Sequence, residues 1–336
     1  MVCLNIMLLQ HLLKNLKDYR FYGLSLALLA MLVLFIKPQV IKRQPVYNFT
    51  VIVDITRSMN AKDYQLKNEA VSRLHFVKQA LRDLVLTLPC QSKLGLGIFT
   101  ERKSTLLFEP IEVCSSYAEI DSVIDTIDWR MAWAADSRIG KGLANTITQL
   151  QSRGSHIVFL TDGQEAPPVN PRYKTDFSDL KGKLKGLLVG VGGLQNVPIP
   201  KYNKQGQQQG FYQQDDVPHR STFGMAPTSS VPVNGFNARN APFGSAKVTG
   251  DQHLTRLYEP YLQQLSKDVD WVYHRLETSE QLSKALQIPM FAKQQQVLSD
   301  SRPYFAVFTL ILLGLVYFPR LSRTGEKNLL EENYKV

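Results

Sequence analysis

The sequence predicts an α/β protein with a doubly wound, mostly parallel sheet, flanked by two transmembrane helices. Three observations carry that prediction. Short apolar, β-branched runs, among them VIV (51–53), HIVFL (156–160) and GLLVGV (186–191), alternate with amphipathic helical patterns. Small hydroxyl and carboxylate residues follow two of these runs directly, at the strand tips where open α/β sheets bind ligands. Two uncharged apolar runs, residues 21–36 and 303–318, bracket the rest of the chain.

Taken in order, residues 1–20 form a basic tail with Lys14, Lys17 and Arg20, and a first transmembrane helix is expected over 21–40. Ile36 is followed by Lys-Pro-Gln, not by a small-x-small cleavage site, so this run reads as an uncleaved anchor. A second span is expected over 303–319, with a tail at 320–336. Both runs are a little shorter than the ~18–20 residues of a clean span, so flanking residues or local thinning must help. Seven Lys and Arg lie on the terminal sides of the two runs (Lys14, Lys17, Arg20, Arg320, Arg323, Lys327, Lys335). Five lie on the loop sides (Lys37, Lys42, Arg43, Lys293, Arg302). That bias puts both termini in the cytoplasm of a bacterial cell and the domain between them, residues 45–290, in the periplasm at the inner membrane. The net charge of +10 is scattered and lacks aromatic interleaving, which argues against nucleic acid as a partner.

The domain opens with NFTVIVDITRSMN (48–60), a buried strand ending in Asp54, Thr56 and Ser58. Three short oxygen-bearing side chains at a strand tip suit a hard divalent cation such as Mg²⁺, Ca²⁺ or Mn²⁺. They suit equally a turn whose side chains cap the N–H groups of a following helix. On this stretch alone both readings stand. Leu66, Ala70, Leu74, Val77, Leu81, Leu84 and Leu88 recur at helical spacing, predicting one helix over 63–88 that Pro89 ends.

A hairpin follows, LGLGIFT (94–100) and STLLFEP (104–110), turning on Glu101-Arg102-Lys103. A turn centred on Arg102 pairs residues whose numbers sum to 204, and Cys90 and Cys114 satisfy that sum. If the ladder extends that far, the two fall opposite one another. A disulfide between them then requires an oxidising compartment, and the alternative is two unrelated buried thiols. Helices are expected over 117–127 and 136–151, with the loop aromatics Trp129 and Trp133 packed at the sheet edge. The strand 156–161 ends in Asp162, and Glu165 just beyond it reads as a solvated loop charge. A polar insert at 195–250 contains a hairpin around 203–206 and a stretch without periodicity from 217. A helix, the strand WVYHRL (271–276) and a last helix over 279–286 close the domain.

Asp54-Ile55-Thr56-Arg57-Ser58, then Ser137 ahead of a helix, then Thr161-Asp162-Gly163 resemble the von Willebrand factor A (VWA) domain and its metal-ion-dependent adhesion site. The family's pattern is Asp-x-Ser-x-Ser, a distant Thr before a helix, and a distant Asp within Thr-Asp-Gly. This chain departs at the middle element, with Ala135-Asp136-Ser137 in place of Gly-Gly-Thr, but keeps a hydroxyl there. The resemblance implies a metal set of Asp54, Thr56, Ser58, Ser137 and Asp162 holding Mg²⁺ (or Ca²⁺ or Mn²⁺). It also implies an open position for an Asp or Glu of a protein partner, and no catalytic residue. The anchors and the GVGG segment look like bacterial membrane-anchored VWA proteins of the Bat aerotolerance type and the accessory proteins of methanol-oxidation clusters. That likeness implies a role in assembly or maturation of a periplasmic complex, a dehydrogenase in the methanol-oxidation case, beside a MoxR-type ATPase. Two other readings stay open: a metal-dependent hydrolase or phosphotransferase using Asp54, and a structural VWA domain without metal.

Overall fold

The structure, a computed structural model, describes residues 19–132, 136–168, 174–203, 205–217 and 251–332. The expectations for the first 18 residues, for Trp133 and for the insert over 218–250 lie outside the described residues. In chain order, α1 (Tyr19–Val33) leads to β1 (Gln39–Val46) and β2 (Asn48–Asp54). β3 (Tyr64–Leu66) and β4 (Glu69–Val71) precede α2 (Arg73–Thr87), β5 (Lys93–Thr100), β6 (Lys103–Glu112) and α3 (Tyr117–Thr126). Then come α4 (Ile139–Leu150), β7 (His156–Thr161) and β8 (Gly186–Gly190). The short strands β9 (Val197–Pro198), β10 (Pro200–Tyr202), β11 (Gln208–Phe211) and β12 (Leu254–Thr255) follow. α5 (Glu259–Val269), β13 (Val272–Arg275), α6 (Ser279–Leu286), β14 (Lys293–Asp300) and α7 (Arg302–Glu332) complete the chain.

The chain divides into two compact units, Pro45–Gln294 and a second made of Met1–Gln44 with Gln295–Val336. The first is built on a six-stranded sheet in the order β13-β8-β7-β2-β5-β6. Every neighbouring pair is parallel except β5 with β6, as the continuous apolar runs predict. Side chains alternate across a strand, so β2 feeds two cores at once. Val51 and Val53 pack on one face with Leu74, Val77, Leu81 and Leu84 of α2. Ile52 packs on the other with Ile139, Leu143 and Ile147 of α4. These side chains are fully or almost fully buried, each stabilising the fold by roughly 1.5–3 kcal/mol. The helix layers cover the two faces of the sheet.

Three local readings are corrected. The helix expected from Asp63 begins only at Arg73, behind an N-cap in which the Ser72 hydroxyl accepts from His75 N–H at 3.1 Å. Lys67 and Asn68, at φ +50° and +67°, turn the preceding residues into the β3–β4 hairpin. Leu66 and Ala70 therefore belong to that hairpin and not to the helix face. The β5–β6 turn holds two residues, not three: Thr100 pairs with Lys103 and Ile98 with Thr105. Irregularities between Leu94 and Gly97 then shift the register, so that Lys93 faces Glu112. Cys90 and Cys114 are joined by a disulfide with a Cα–Cα distance of 5.3 Å, despite the non-uniform ladder. Glu165 is not a solvated charge: its Oε1 accepts from Gly140 N–H at 2.9 Å and from Tyr261 hydroxyl at 2.6 Å.

In the second unit α1 packs on α7. Gly23 permits the approach, since a Cβ there would meet Val316 Cγ2 at 2.6 Å. Ala27, Ala30 and Val316 are buried, whereas Leu28, Leu29, Leu310 and Leu315 are exposed. A short 3-10 turn, Leu34–Ile36, and Lys37 at φ +51° end the first helix. β1 then pairs with β14 in a two-stranded sheet that the sequence reading did not anticipate. Among the described residues no helix is long and apolar enough to cross a membrane.

Candidate cation site at the strand tips

Asp54 ends β2, and its position is fixed by the ladder that pairs it with Phe99 of β5. The neighbouring tip on the other side is that of β7, and the two tips touch: Thr161 hydroxyl donates to Asp54 Oδ2 at 2.6 Å. Asp54 Oδ1 accepts from Thr56 N–H at 2.8 Å. Residues Arg57–Asn60 make a single 3-10 turn with Thr56 before it, and the Thr56 side chain gives that turn no capping bond. The Thr56 and Ser58 hydroxyls lie 3.4 Å apart, and the Thr56 side chain also interacts with the Asp54 carboxylate. The capped-helix reading of this stretch thus lacks its helix, because the next one starts at Arg73 with a cap of its own.

Ser137 reaches the same edge of the sheet through backbone pairing. Its N–H donates to Ala166 carbonyl at 2.8 Å and its carbonyl accepts from Ala166 N–H at 2.9 Å. It is also bridged to Glu101, just past the tip of β5. The Ser137 side chain is 3% exposed, and its Oγ has no hydrogen-bond partner. A buried hydroxyl without a partner costs on the order of 1–3 kcal/mol, so its orientation calls for something to bind. This orphan oxygen is what a hard cation at the strand tips would satisfy, and the set of hydroxyls and carboxylates fits such an ion. The structure therefore gathers Asp54, Thr56, Ser58, Ser137 and Asp162 at one end of the sheet.

Burial, and secondly the Asp162 carboxylate, push the Asp54 pKa up to about 7. Asp162 is equally buried but differently partnered. Its Oδ1 accepts from Gln164 N–H at 2.9 Å, and its Oδ2 accepts from Arg73 Nη1 at 2.7 Å and from Thr255 hydroxyl at 3.2 Å. Arg73 is fully buried and spans two carboxylates, giving its Nε and Nη2 to Asp63 at 2.6–3.0 Å. Burial works against its charge, but Asp162 and Asp63 outweigh that and raise its pKa. Gly192, at φ +118°, closes over the guanidinium; a Cβ there would lie 2.7 Å from Arg73 Nε. Tyr64 hydroxyl accepts from Gly192 N–H at 2.9 Å and donates to Leu276 carbonyl at 2.6 Å, tying the β3–β4 hairpin to this loop.

The sequence reading missed Arg73 and Thr255. Arg73 left no signal, because the helical pattern running on from Asp63 hid its place at the first position of α2. Thr255, at the far side of the polar insert, left none. Glu165 at the N-terminus of α4 is raised by burial, and its bonds to Gly140 and Tyr261 make it a brace for the Ser137 segment.

The fold is an α/β domain on a mostly parallel sheet, with hydroxyl and carboxylate groups at the tips of β2 and β7. Residues 49–164 match the family model of the von Willebrand factor type A domain. Among solved structures it is similar to an aerotolerance-related membrane protein from Bacteroides fragilis. There the identity is 18% over 71% of this chain and 95% of that one, with a TM-score of 0.44. A second is BatB from Bacteroides thetaiotaomicron, with 19% identity over 70% and 93% of the two chains and a TM-score of 0.44. A third is a mussel byssus thread matrix protein with a zinc-occupied MIDAS motif. It shows 15% identity over 45% and 39% of the two chains, with a TM-score of 0.31. No curated protein matches the chain.

Proposed function

We propose that the domain is a divalent-cation-dependent protein-binding module. Asp54, Thr56, Ser58, Ser137 and Asp162 would hold the ion, Mg²⁺ in the first instance, with Ca²⁺ or Mn²⁺ as alternatives. The ion would supply an electron-poor centre for an Asp or Glu of the partner. The observation that carries this reading is the buried, unpartnered Ser137 Oγ, on a segment bridged to Glu101 just past the tip of β5. The protein's own groups preorganise the site: Thr161 and Thr56 N–H fix both oxygens of Asp54, and Gln164 N–H fixes one of Asp162. No side chain in the set is placed as a nucleophile with its base, so recognition is favoured over hydrolysis.

The reading extends to place. The α1–α7 pair exposes Leu28, Leu29, Leu310, Ile311 and Leu315 around a small-residue contact, which supports anchoring in lipid. Local thinning would accommodate the short first helix. With both termini cytoplasmic, the domain would face the periplasm, where the Cys90–Cys114 disulfide is at home. There it would serve assembly or maturation of a larger complex, a dehydrogenase being the instance suggested by methanol-oxidation accessory proteins, with a MoxR-type ATPase as functional partner.

The test is thermal unfolding of the purified full-length protein in Mg²⁺ or chelator, with Asp54→Ala as control. A ligand at about 100 times its Kd stabilises the folded state by about 2.7 kcal/mol. A wild-type Tm that is the same in both conditions would remove the cation from the reading. Capture of membrane-fraction proteins that depends on Mg²⁺ and on Asp54 would name the partner. Recovery of the protein in the soluble fraction after alkaline carbonate extraction would overturn the anchoring.

A further inference from the structure

We infer, building on the cation reading above, that Arg73 sets the affinity of this site. Its guanidinium is a built-in counter-cation that competes with the divalent ion for Asp162. Each carboxylate oxygen offers about two lone pairs. Both on Asp162 Oδ2 are used, by Arg73 Nη1 at 2.7 Å and Thr255 hydroxyl at 3.2 Å, and one on Oδ1 is used by Gln164 N–H. The hydrogen bonds to the Asp54 oxygens come, in contrast, from neutral groups, the Thr161 hydroxyl and the backbone and side chain of Thr56. A divalent ion entering the strand tips therefore meets one carboxylate without a cationic partner and one already paired with a guanidinium.

Arg73 cannot swing aside to admit it. The side chain is fully buried, three of its contacts go to Asp63, and Gly192 packs directly against Nε. Asp63 is held in turn by Gly193 N–H at 2.8 Å. Asp63 thus decides how much of the guanidinium charge is felt at Asp162: neutralising Asp63 leaves that charge to Asp162 alone, while removing the Arg73–Asp63 charges together frees Asp162. The two changes should move cation affinity in opposite directions. A role confined to packing has no reason to do so.

The experiment measures Mn²⁺ binding to purified full-length protein through the electron paramagnetic resonance of the free ion, with cooperative unfolding as the check on folding. Arg73→Gln combined with Asp63→Asn should tighten binding about tenfold or more, and Asp63→Asn alone should weaken it about tenfold. Arg73→Lys, which keeps the charge, should stay near wild type. Unchanged or weaker binding in the double variant overturns the inference while leaving the cation site itself standing. A wild type that does not bind beside a double variant that does upholds the inference and overturns cation binding by the native chain. If neither binds, both fall. Should the double variant not fold, Asp63→Asn alone decides, and unchanged or tighter binding overturns the inference.

Discussion

The tips of β2 and β7 are neighbours that each carry a buried aspartate, one residue apart in register, yet they are chemically opposite. Asp54 is buried among neutral donors, and its pKa rises to about 7 because burial and the Asp162 charge both oppose ionisation. Asp162 is buried beside a guanidinium that is itself clamped by a second carboxylate. One tip is left in need of positive charge, and the other is supplied with it permanently. Position in a sheet thus makes a carboxylate available to a ligand only where its other partners leave it so.

The largest effect should come from removing the permanent charge. Arg73→Ala strands Asp63 and Asp162 without a partner, and breaking a buried pair costs about 3–5 kcal/mol. Urea denaturation in chelator measures this, and a loss under about 1 kcal/mol would mean that water has replaced the guanidinium. Next comes Gly192→Ala, expected to cost about 2 kcal/mol. The new Cβ meets Arg73 Nε at a φ of +118°, where only glycine is at ease.

Asp54→Asn sharpens the comparison from the other side. It should abolish the Mg²⁺ response yet stabilise the metal-free protein by about 1 kcal/mol, since it removes a buried charge with no cationic partner. The accompanying pH dependence has a definite sign. A folded-state pKa raised from 3.8 to about 7 means that the stability associated with Asp54 is fully present below the unfolded value and is lost as pH rises towards 7. Wild type in chelator should therefore lose stability relative to Asp54→Asn between about pH 4 and 7. Parallel curves for the two proteins would contradict the raised pKa. The smallest effect on folding belongs to Ser137→Ala. Its hydroxyl has no partner to lose and its removal relieves a desolvation cost, so the metal-free protein should lose no stability and gain up to about 1 kcal/mol, while Mg²⁺ affinity falls.

Much of this was readable beforehand because parallel strands buried on both faces leave long apolar runs. VIV (51–53) and HIVFL (156–160) announced central strands, and the residues after them announced the tips. What escaped were features made by partners distant in sequence. The β3–β4 hairpin looked helical because Leu66 and Ala70 happen to fall in phase with Leu74 and Val77, and Lys67-Asn68 is a weaker turn signal than Asn-Gly. Arg73 meets Asp162 across 89 positions and Thr255 across 182, and no local pattern encodes either contact. Glu165 was read as solvated because nothing nearby revealed Gly140 N–H or Tyr261 as its partners.

The antiparallel strand β6 is one edge of the sheet, and edges are where proteins lend strands to one another. Here that edge is poorly suited to lending. Pro110 has no N–H to offer, the ladder behind it shifts register between Leu94 and Gly97, a two-residue turn closes one end and the Cys90–Cys114 bridge closes the other. A chain built this way resists aggregation through β6 and has little means of recruiting a partner by extending its sheet there. On the proposed function, a partner would instead meet the domain at the ends of the parallel strands, where Asp54 lies.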